Sequence, residues 1–411
     1  MATPTSALLT VLREPVPVRL WMAGVAMNVV RWLEILAFAL YALEATGSPL
    51  MVSLVTFVRF LPLLFSALLA ALVEAVDRRT VLWALFVLLV AVDATLLAAA
   101  LTDLLDIRLA LIAALASGVA WTFESPLRRT MLAEAAGMDR LSSVMGLEVF
   151  TNQLTRAMGP AIGGLLVETI GYAGVFAIGL GLQGIGLLCV LRLPDGLRGP
   201  TAGRRGPGLA GLAEGLRLVA GHRVLLATML VTIVFNLFSF PYVTLAPVIG
   251  ERILDLSPAA IGLLLATEGM GGMTGAALIV LHARSSWFLP IYAWGAVLFA
   301  VGTTTLGVIV WPPLAFATLF VAGLGIAGFN GMQSMVPLLA TPAALRVRVM
   351  GILTVCIGAG PFGFLLAGTL AEAFGAQNAQ LIIGALALAS LAAIGRRFPE
   401  LFRAGPFPAA T

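Results

Sequence analysis

The chain has 411 residues, 60% of them hydrophobic and only 11% charged, with a mean hydropathy of +1.05. Ordinary soluble domains carry roughly 25% charge, so a soluble core does not account for this composition. The net charge of +4 comes from 24 basic residues, all arginine, against 20 acidic ones; they lie in short clusters between apolar runs and form no single basic face, which argues against nucleic acid as a partner.

In chain order, the hydropathy pattern predicts transmembrane helices near 18–42, 50–74, 79–101, 108–130, 142–167, 172–193, 223–250, 258–281, 286–309, 313–338, 346–373 and 377–397. Crossing a bilayer takes about 20 residues, so these are twelve spans of an all-α membrane protein. Turn chemistry supports the cuts, with Thr46-Gly47-Ser48-Pro49, Gly171, Ser257-Pro258, Trp311-Pro312-Pro313 and Thr341-Pro342 each interrupting an apolar run. The first run follows Arg13 and Arg19, is too long for a signal-peptide core and has no convincing cleavage site, so it is expected to stay in the membrane. Cys189 and Cys356 fall inside spans and read as small packing residues.

Nineteen arginines, among them Arg78, Arg79, Arg128, Arg129 and Arg204, fall on one side of the predicted spans and only Arg108 and Arg252 on the other. The positive-inside rule then puts both termini in the cytoplasm, with the chain multi-pass in the inner membrane. The one long polar stretch, 194–222, reads as a cytoplasmic linker between residues 1–193 and 223–411, six spans each. The halves echo one another. Val144-Met145-Gly146 recurs as Val349-Met350-Gly351, and the Glu168 to Gly171 segment recurs as Glu372 to Gly375, at offsets of 205 and 204 residues. Two parallel six-helix repeats are an architecture of secondary transporters.

Three stretches resemble the major facilitator superfamily. Ala70 to Arg79, with Glu74, Asp77, Arg78 and Arg79, is similar to the family's G-x-x-x-D-R-x-G-R-R gating loop, with Ala70 for the first glycine, Glu74 for the aspartate and Asp77 for the second glycine. Gly146 to Gly164, with Gly159, Pro160, Gly163 and Gly164 intact and Thr155 in place of a glycine, is similar to the antiporter signature of span five. Thr46 to Pro49 leading into Arg59-Phe60-Leu61-Pro62, together with Phe123 to Pro126, resembles the multidrug, macrolide and siderophore exporters. The resemblance implies a drug:proton antiporter without cofactor, working as a monomer, with spans one, four, seven and ten lining a central cavity.

An ionisable side chain at bilayer depth costs at least about 2.5–3.5 kcal/mol, which makes each one a candidate for function. Arg31 and Glu34 lie about one helical turn apart and are close enough to pair. Arg59 and Asp93 sit at similar depth, so the four form a nearly neutral cluster, either a proton relay or a permanent lock between spans one to three. Glu34 is the first choice of carrier because the resemblance puts its span on the cavity, whereas Asp93 is on a span that the resemblance makes peripheral. Glu148, Asn152 and Arg156 recur every four residues as one polar stripe. Glu268 in span eight is at mid-depth, where Arg156 is a candidate partner in at least one state. Glu124 and Arg128, spaced i, i+4 at the cytoplasmic end of span four, read as a surface-level pair worth about 0.3–0.5 kcal/mol, either a gate or an anchor. His222 and His282 fall in loops, and no metal-ligand cluster or phosphate-binding glycine loop supports an ATP-driven pump.

On the spans expected to line the cavity, the residues that are not aliphatic include Asn28, Trp32, Trp121, Phe123, Phe235, Asn236, Phe240, Tyr242, Phe329, Asn330 and Gln333. Such a wall suits an amphipathic organic compound better than a sugar, which needs more buried hydrogen-bond partners; ordinary helix packing is the competing assignment for each aromatic ring. The sequence therefore reads as an alternating-access exporter exchanging a small amphipathic compound for protons. A proton-coupled importer, a lipid translocator and a transport-inactive scaffold or sensor are its rivals. The topology is open to direct measurement: Arg198→Cys, made without the two native cysteines, is expected to resist an impermeant thiol reagent in intact cells, and labelling would reverse the orientation.

Overall fold

A computed structural model describes residues 14–65, 76–137, 140–194, 209–342 and 345–405. Every regular element among them is helical, as hydrocarbon demands of a chain that must satisfy its backbone groups internally. α1 spans Pro15–Thr46, α2 Pro49–Phe60 with a 3-10 extension to Phe65, α3 Arg78–Leu101 and α4 Ile107–Ala136. α5 runs over Leu141–Leu191 and is broken at Gly171, whose φ of 67° and ψ of −176° no helix contains, so its two arms are the predicted spans five and six.

After α6 (Leu209–Gly221), which lies in the predicted linker, α7 (Arg223–Val234) passes through a π-turn into α8 (Tyr242–Arg252). Then follow α9 (Pro258–His282), α10 (Phe288–Thr305), α11 (Pro312–Gln333), α12 (Met335–Ala340), α13 (Arg346–Ile357), α14 (Gly360–Phe374) and α15 (Ala376–Arg397). Ten stretches among the described residues are long and apolar enough to span a bilayer. The kinked stretch 143–191 counts twice and the shorter Pro49–Phe65 begins one more, which gives the twelve expected spans. The rest of span two, with Ala70 and Glu74, and linker residues 195–208 lie outside the described residues.

Helix starts follow local chemistry. Pro15 and Pro17 open α1, and the Asp77 and Asp106 carboxylates accept from Thr80 N–H (3.3 Å) and Leu109 N–H (2.7 Å) at the starts of α3 and α4. α1 stops at Gly47, in the left-handed region at φ 63°.

The helices gather into two compact units, Met1–Gly47 with Val58–Gly203 and Pro258–Leu263, and Ser48–Phe57 with Arg204–Ser257 and Leu264–Thr411. Each unit thus includes a short helix start from the other half of the sequence, and both starts are held alike. In the first unit Glu168 accepts from Ala259 N–H at 3.0 Å, just after Ser257-Pro258. In the second Glu372 accepts from Ser48 Oγ at 2.8 Å and Leu50 N–H at 3.3 Å, around Ser48-Pro49. The repeat seen in the sequence is therefore a repeated carboxylate cap on a Ser-Pro helix start.

The first unit packs α1 between α4 and the arms of α5, with Leu20, Met27, Leu82, Phe86, Leu89 and Leu132 in its core. The core of the second unit is aromatic: the Phe235 ring stacks on Phe329 at 3.7 Å and meets Phe299 at 4.8 Å, while Tyr292 lies 5.2 Å from Phe329. The buried Tyr292 hydroxyl is satisfied by Thr228 O and Thr232 Oγ1, each at 2.8 Å. Beyond the last span, the Glu400 carboxyl is held below the usual carboxylate range by hydrogen bonding from Arg223.

One close approach sets the site. A Cβ on Gly118 of α4 would fall 1.9 Å from the backbone oxygen of Arg59, so glycine there lets α2 press Arg59 inward. Gly118→Ala is expected to lower stability by about 1–3 kcal/mol, whereas Gly351→Ala, whose Cβ meets nothing within 4 Å, should leave it unchanged or slightly raised; thermal unfolding in detergent compares the two.

Candidate functional site

The buried charges of the first unit fall into three groups. In the first, Arg59 Nη2 sits 2.9 Å from Glu34 Oε2, with both side chains buried. This replaces the expected Arg31–Glu34 pair: residues one turn apart on a helix share a face, but α2 delivers a better-aimed guanidinium from outside it. Asp93 of α3, 1% exposed, lies within hydrogen-bonding reach of Glu34 and under the field of Arg59. Asp93 thus lies with Glu34 and Arg59, as the similar depth of these residues implies. Glu34 Oε1, Arg59 Nη1 and Asp93 Oδ2 have no hydrogen-bond acceptor or donor opposite them. Two carboxyl groups thus share the neighbourhood of one guanidinium.

The second group corrects the assignment of Glu124 and Arg128 to the surface. Both are 1% exposed, and Arg128 donates Nε–H to Glu124 and two further N–H groups to Glu148 at 2.6 and 2.9 Å. Arg129 reaches Glu148 at 3.4 Å from a more exposed position. The sequence spacing showed the i, i+4 pair but not the second carboxylate, which α5 brings in from twenty residues away.

The third group is aromatic. The Arg31 guanidinium lies 3.8 Å from the ring centre of Trp121 and 4.9 Å from that of Trp32, and Arg156 is 5.7 Å from Trp32. Phe60 meets Trp121 edge-on at 5.9 Å. Asn152 donates to Asn28 at 3.1 Å. The Glu148, Asn152 and Arg156 stripe therefore faces α4 and α1 residue by residue.

The other expected wall residues divide. Trp32, Trp121, Phe123, Asn236, Phe240 and Gln333 are half-buried and Asn330 is exposed, whereas Phe235, Tyr242 and Phe329 are buried in the aromatic core of the second unit and form no wall. Asn236 gives its amide to Thr232 O at 2.9 Å. Glu268, on α9 of the second unit, is 5% exposed.

Among the gating residues, Asp77 caps α3, Arg78 pairs with Glu134 at 2.8 Å and Arg79 donates to Leu191 O at 2.8 Å. In the antiporter-like motif, Gly159 and Gly163 seat α5 against Trp32 and Leu33 of α1. A Cβ on Gly164 would fall 2.1 Å from Pro258 O, and one on Gly262 2.2 Å from Pro160 O. The glycines thus admit the start of α9 into the first unit, below the Glu168 cap. Sequence reasoning missed the caps, although Ser-Pro at residues 48–49 and 257–258 and the two Glu-x-x-Gly echoes carried the signal.

Residues 6–403 match the family described as transmembrane secretion effector. The chain belongs to this family of major facilitator transporters. It is 30% identical over 386 residues to the multidrug efflux pump Tap of Mycobacterium tuberculosis (strain ATCC 25618 / H37Rv), covering 90% of each chain. To the pump of the same name from Mycolicibacterium fortuitum it is 29% identical over 358 residues, covering 84% of this chain and 86% of that one. The solved structure of a point mutant of the nucleoside transporter NupG superposes with a TM-score of 0.78 at 13% identity, over 93% of this chain and 100% of the other, and shares the fold. The protein is a multi-pass membrane transporter and not an enzyme.

The buried triad gives a stability test. Arg128→Met leaves Glu124 unpaired and Glu148 with only the 3.4 Å contact to Arg129, and is expected to cost about 3–5 kcal/mol. Adding Glu124→Gln and Glu148→Gln should recover much of it; the folded fraction in detergent after mild heating measures both.

Proposed function

We propose that the chain exports a small amphipathic organic compound in exchange for protons by alternating access. Support for export comes from relatives named multidrug efflux pumps that align over most of their length. In this reading residues 1–193 and 223–411 are the two rocking halves of a monomer, joined by the 194–222 linker, with both termini in the cytoplasm. Glu268 meets Arg156 in at least one state, since a carboxylate near mid-membrane requires a partner.

The observation that carries proton coupling is the carboxyl pair beside Arg59. Glu34 and Asp93 hold one proton between them while Arg59 binds Glu34, and the set is then neutral. When α2 draws Arg59 away, both carboxyls take protons; when it returns, one proton leaves. α2 is suited to this because it touches the cluster through one guanidinium and rests on α4 through Gly118. The half-buried tryptophans of α1 and α4 supply the apolar wall for the compound.

Reconstituted vesicles loaded with a fluorescent amphipathic dye test the mechanism. Glu34→Gln and Asp93→Asn are each expected to lose roughly tenfold or more of the acceleration by an imposed pH gradient, the scale of a coupling energy of 1–3 kcal/mol. Dye-for-dye counterflow should survive in both. Proton-driven transport at the parental rate in both variants would move coupling to Glu268 or Glu148, and uptake into the compartment facing the linker would make the protein an importer.

A further inference from the structure

The proposed carboxyl pair and the Arg128 triad are internally compensated, but Arg31 is not. No carboxylate among the described residues forms an ion pair with it. Its electrostatic neighbours are chiefly the cations Arg59, Arg156 and Arg129, with Glu124 the one carboxylate that acts on it. The two tryptophan faces hold its charge by cation–π attraction. That leaves the guanidinium edge, with its N–H donors, without an anion.

A second observation points to the same ligand. The Trp32 indole Nε1–H is buried and has no acceptor, although a buried indole N–H ordinarily finds one. The group is therefore rich in donors and poor in acceptors: the Arg31 edge and Trp32 Nε1 beside flat apolar rings, on a half-buried face of the first unit. Asn28, the nearby amide acceptor on α1, is already taken by Asn152. A cationic amphipath meets a like charge here, and a neutral one leaves the donors unsatisfied. A carboxylate, sulfonate or phosphate on a planar apolar body satisfies both and lies its ring against tryptophan.

We infer that Arg31, Trp32 and Trp121 form the head-group end of the substrate site, and that the compound carried is an anionic aromatic amphipath. The inference rests on the amphipathic-transporter reading above and deepens it.

Three probes that differ only in head group test it: 1-pyrenebutyrate, 1-pyrenebutanol and 1-pyrenebutylamine, titrated into the full-length protein in phosphatidylcholine nanodiscs and read by tryptophan-to-pyrene energy transfer. The anion is expected to bind about tenfold or more tighter than the amine, a difference of about 1.4 kcal/mol. Arg31→Gln should abolish that preference by weakening the anion more than the alcohol, and Arg31→Lys should keep part of it.

Equal or tighter binding of the amine, or an anion preference that survives Arg31→Gln, would overturn the anionic assignment yet leave an amphipath transporter standing. Failure of all three probes to bind would overturn both readings. Repeating the titration in nanodiscs with phosphatidylglycerol distinguishes the source: competition by the lipid assigns the site to a lipid head group and its absence to a diffusible compound, and either result supports an anion site.

Discussion

A charge in hydrocarbon has no water to solvate it, so each buried arginine of this protein must carry its own compensation. The first unit meets that demand in three chemically different ways: two carboxylates around Arg128, one shared carboxyl pair beside Arg59, and tryptophan faces against Arg31. These groups tie α1 to α2, α3, α4 and α5 and fix which faces of those helices turn inward. The first is held by direct hydrogen bonds from Arg128 to both carboxylates, with Glu124 Oε2 left unmet, and reads as structure. The second and third leave donors or acceptors unmet, and unmet polar groups are costly unless something else uses them.

The two units divide their work. Charge is concentrated in the first, while the second is packed by a ladder of aromatic rings from Phe235 through Phe329 to Tyr292, its one phenol satisfied within the unit. The closest of these contacts, Phe235 on Phe329 at 3.7 Å, is a stacked pair.

The repeated caps show how duplicated chemistry is reused. Proline at the first helical position of α2 and α9 leaves the next backbone N–H groups without partners, and Glu372 and Glu168 accept from them. Each cap is worth about 1 kcal/mol by analogy with other helix N-termini. The glycines at 164 and 262 add close backbone packing below one of them.

The number of spans, the arginine asymmetry and the internal repeat were legible in the sequence because hydropathy, charge and spacing act locally and need no knowledge of packing. The superfamily was legible too, through Gly159-Pro160 and Gly163-Gly164. Which charge meets which was not. Arg31 and Glu34 share a helical face, yet Glu34 pairs with Arg59 because a residue from another helix can approach end-on where a neighbour on the same helix lies alongside. Burial of Glu124 and Arg128 was likewise a tertiary decision, made when α5 laid Glu148 over the end of α4. The aromatic residues of the seventh and tenth spans carried no mark of whether they faced a cavity or a core, since periodicity gives a face but not what lies opposite it. Only the packing of α10 against α11 put Phe329 into the core.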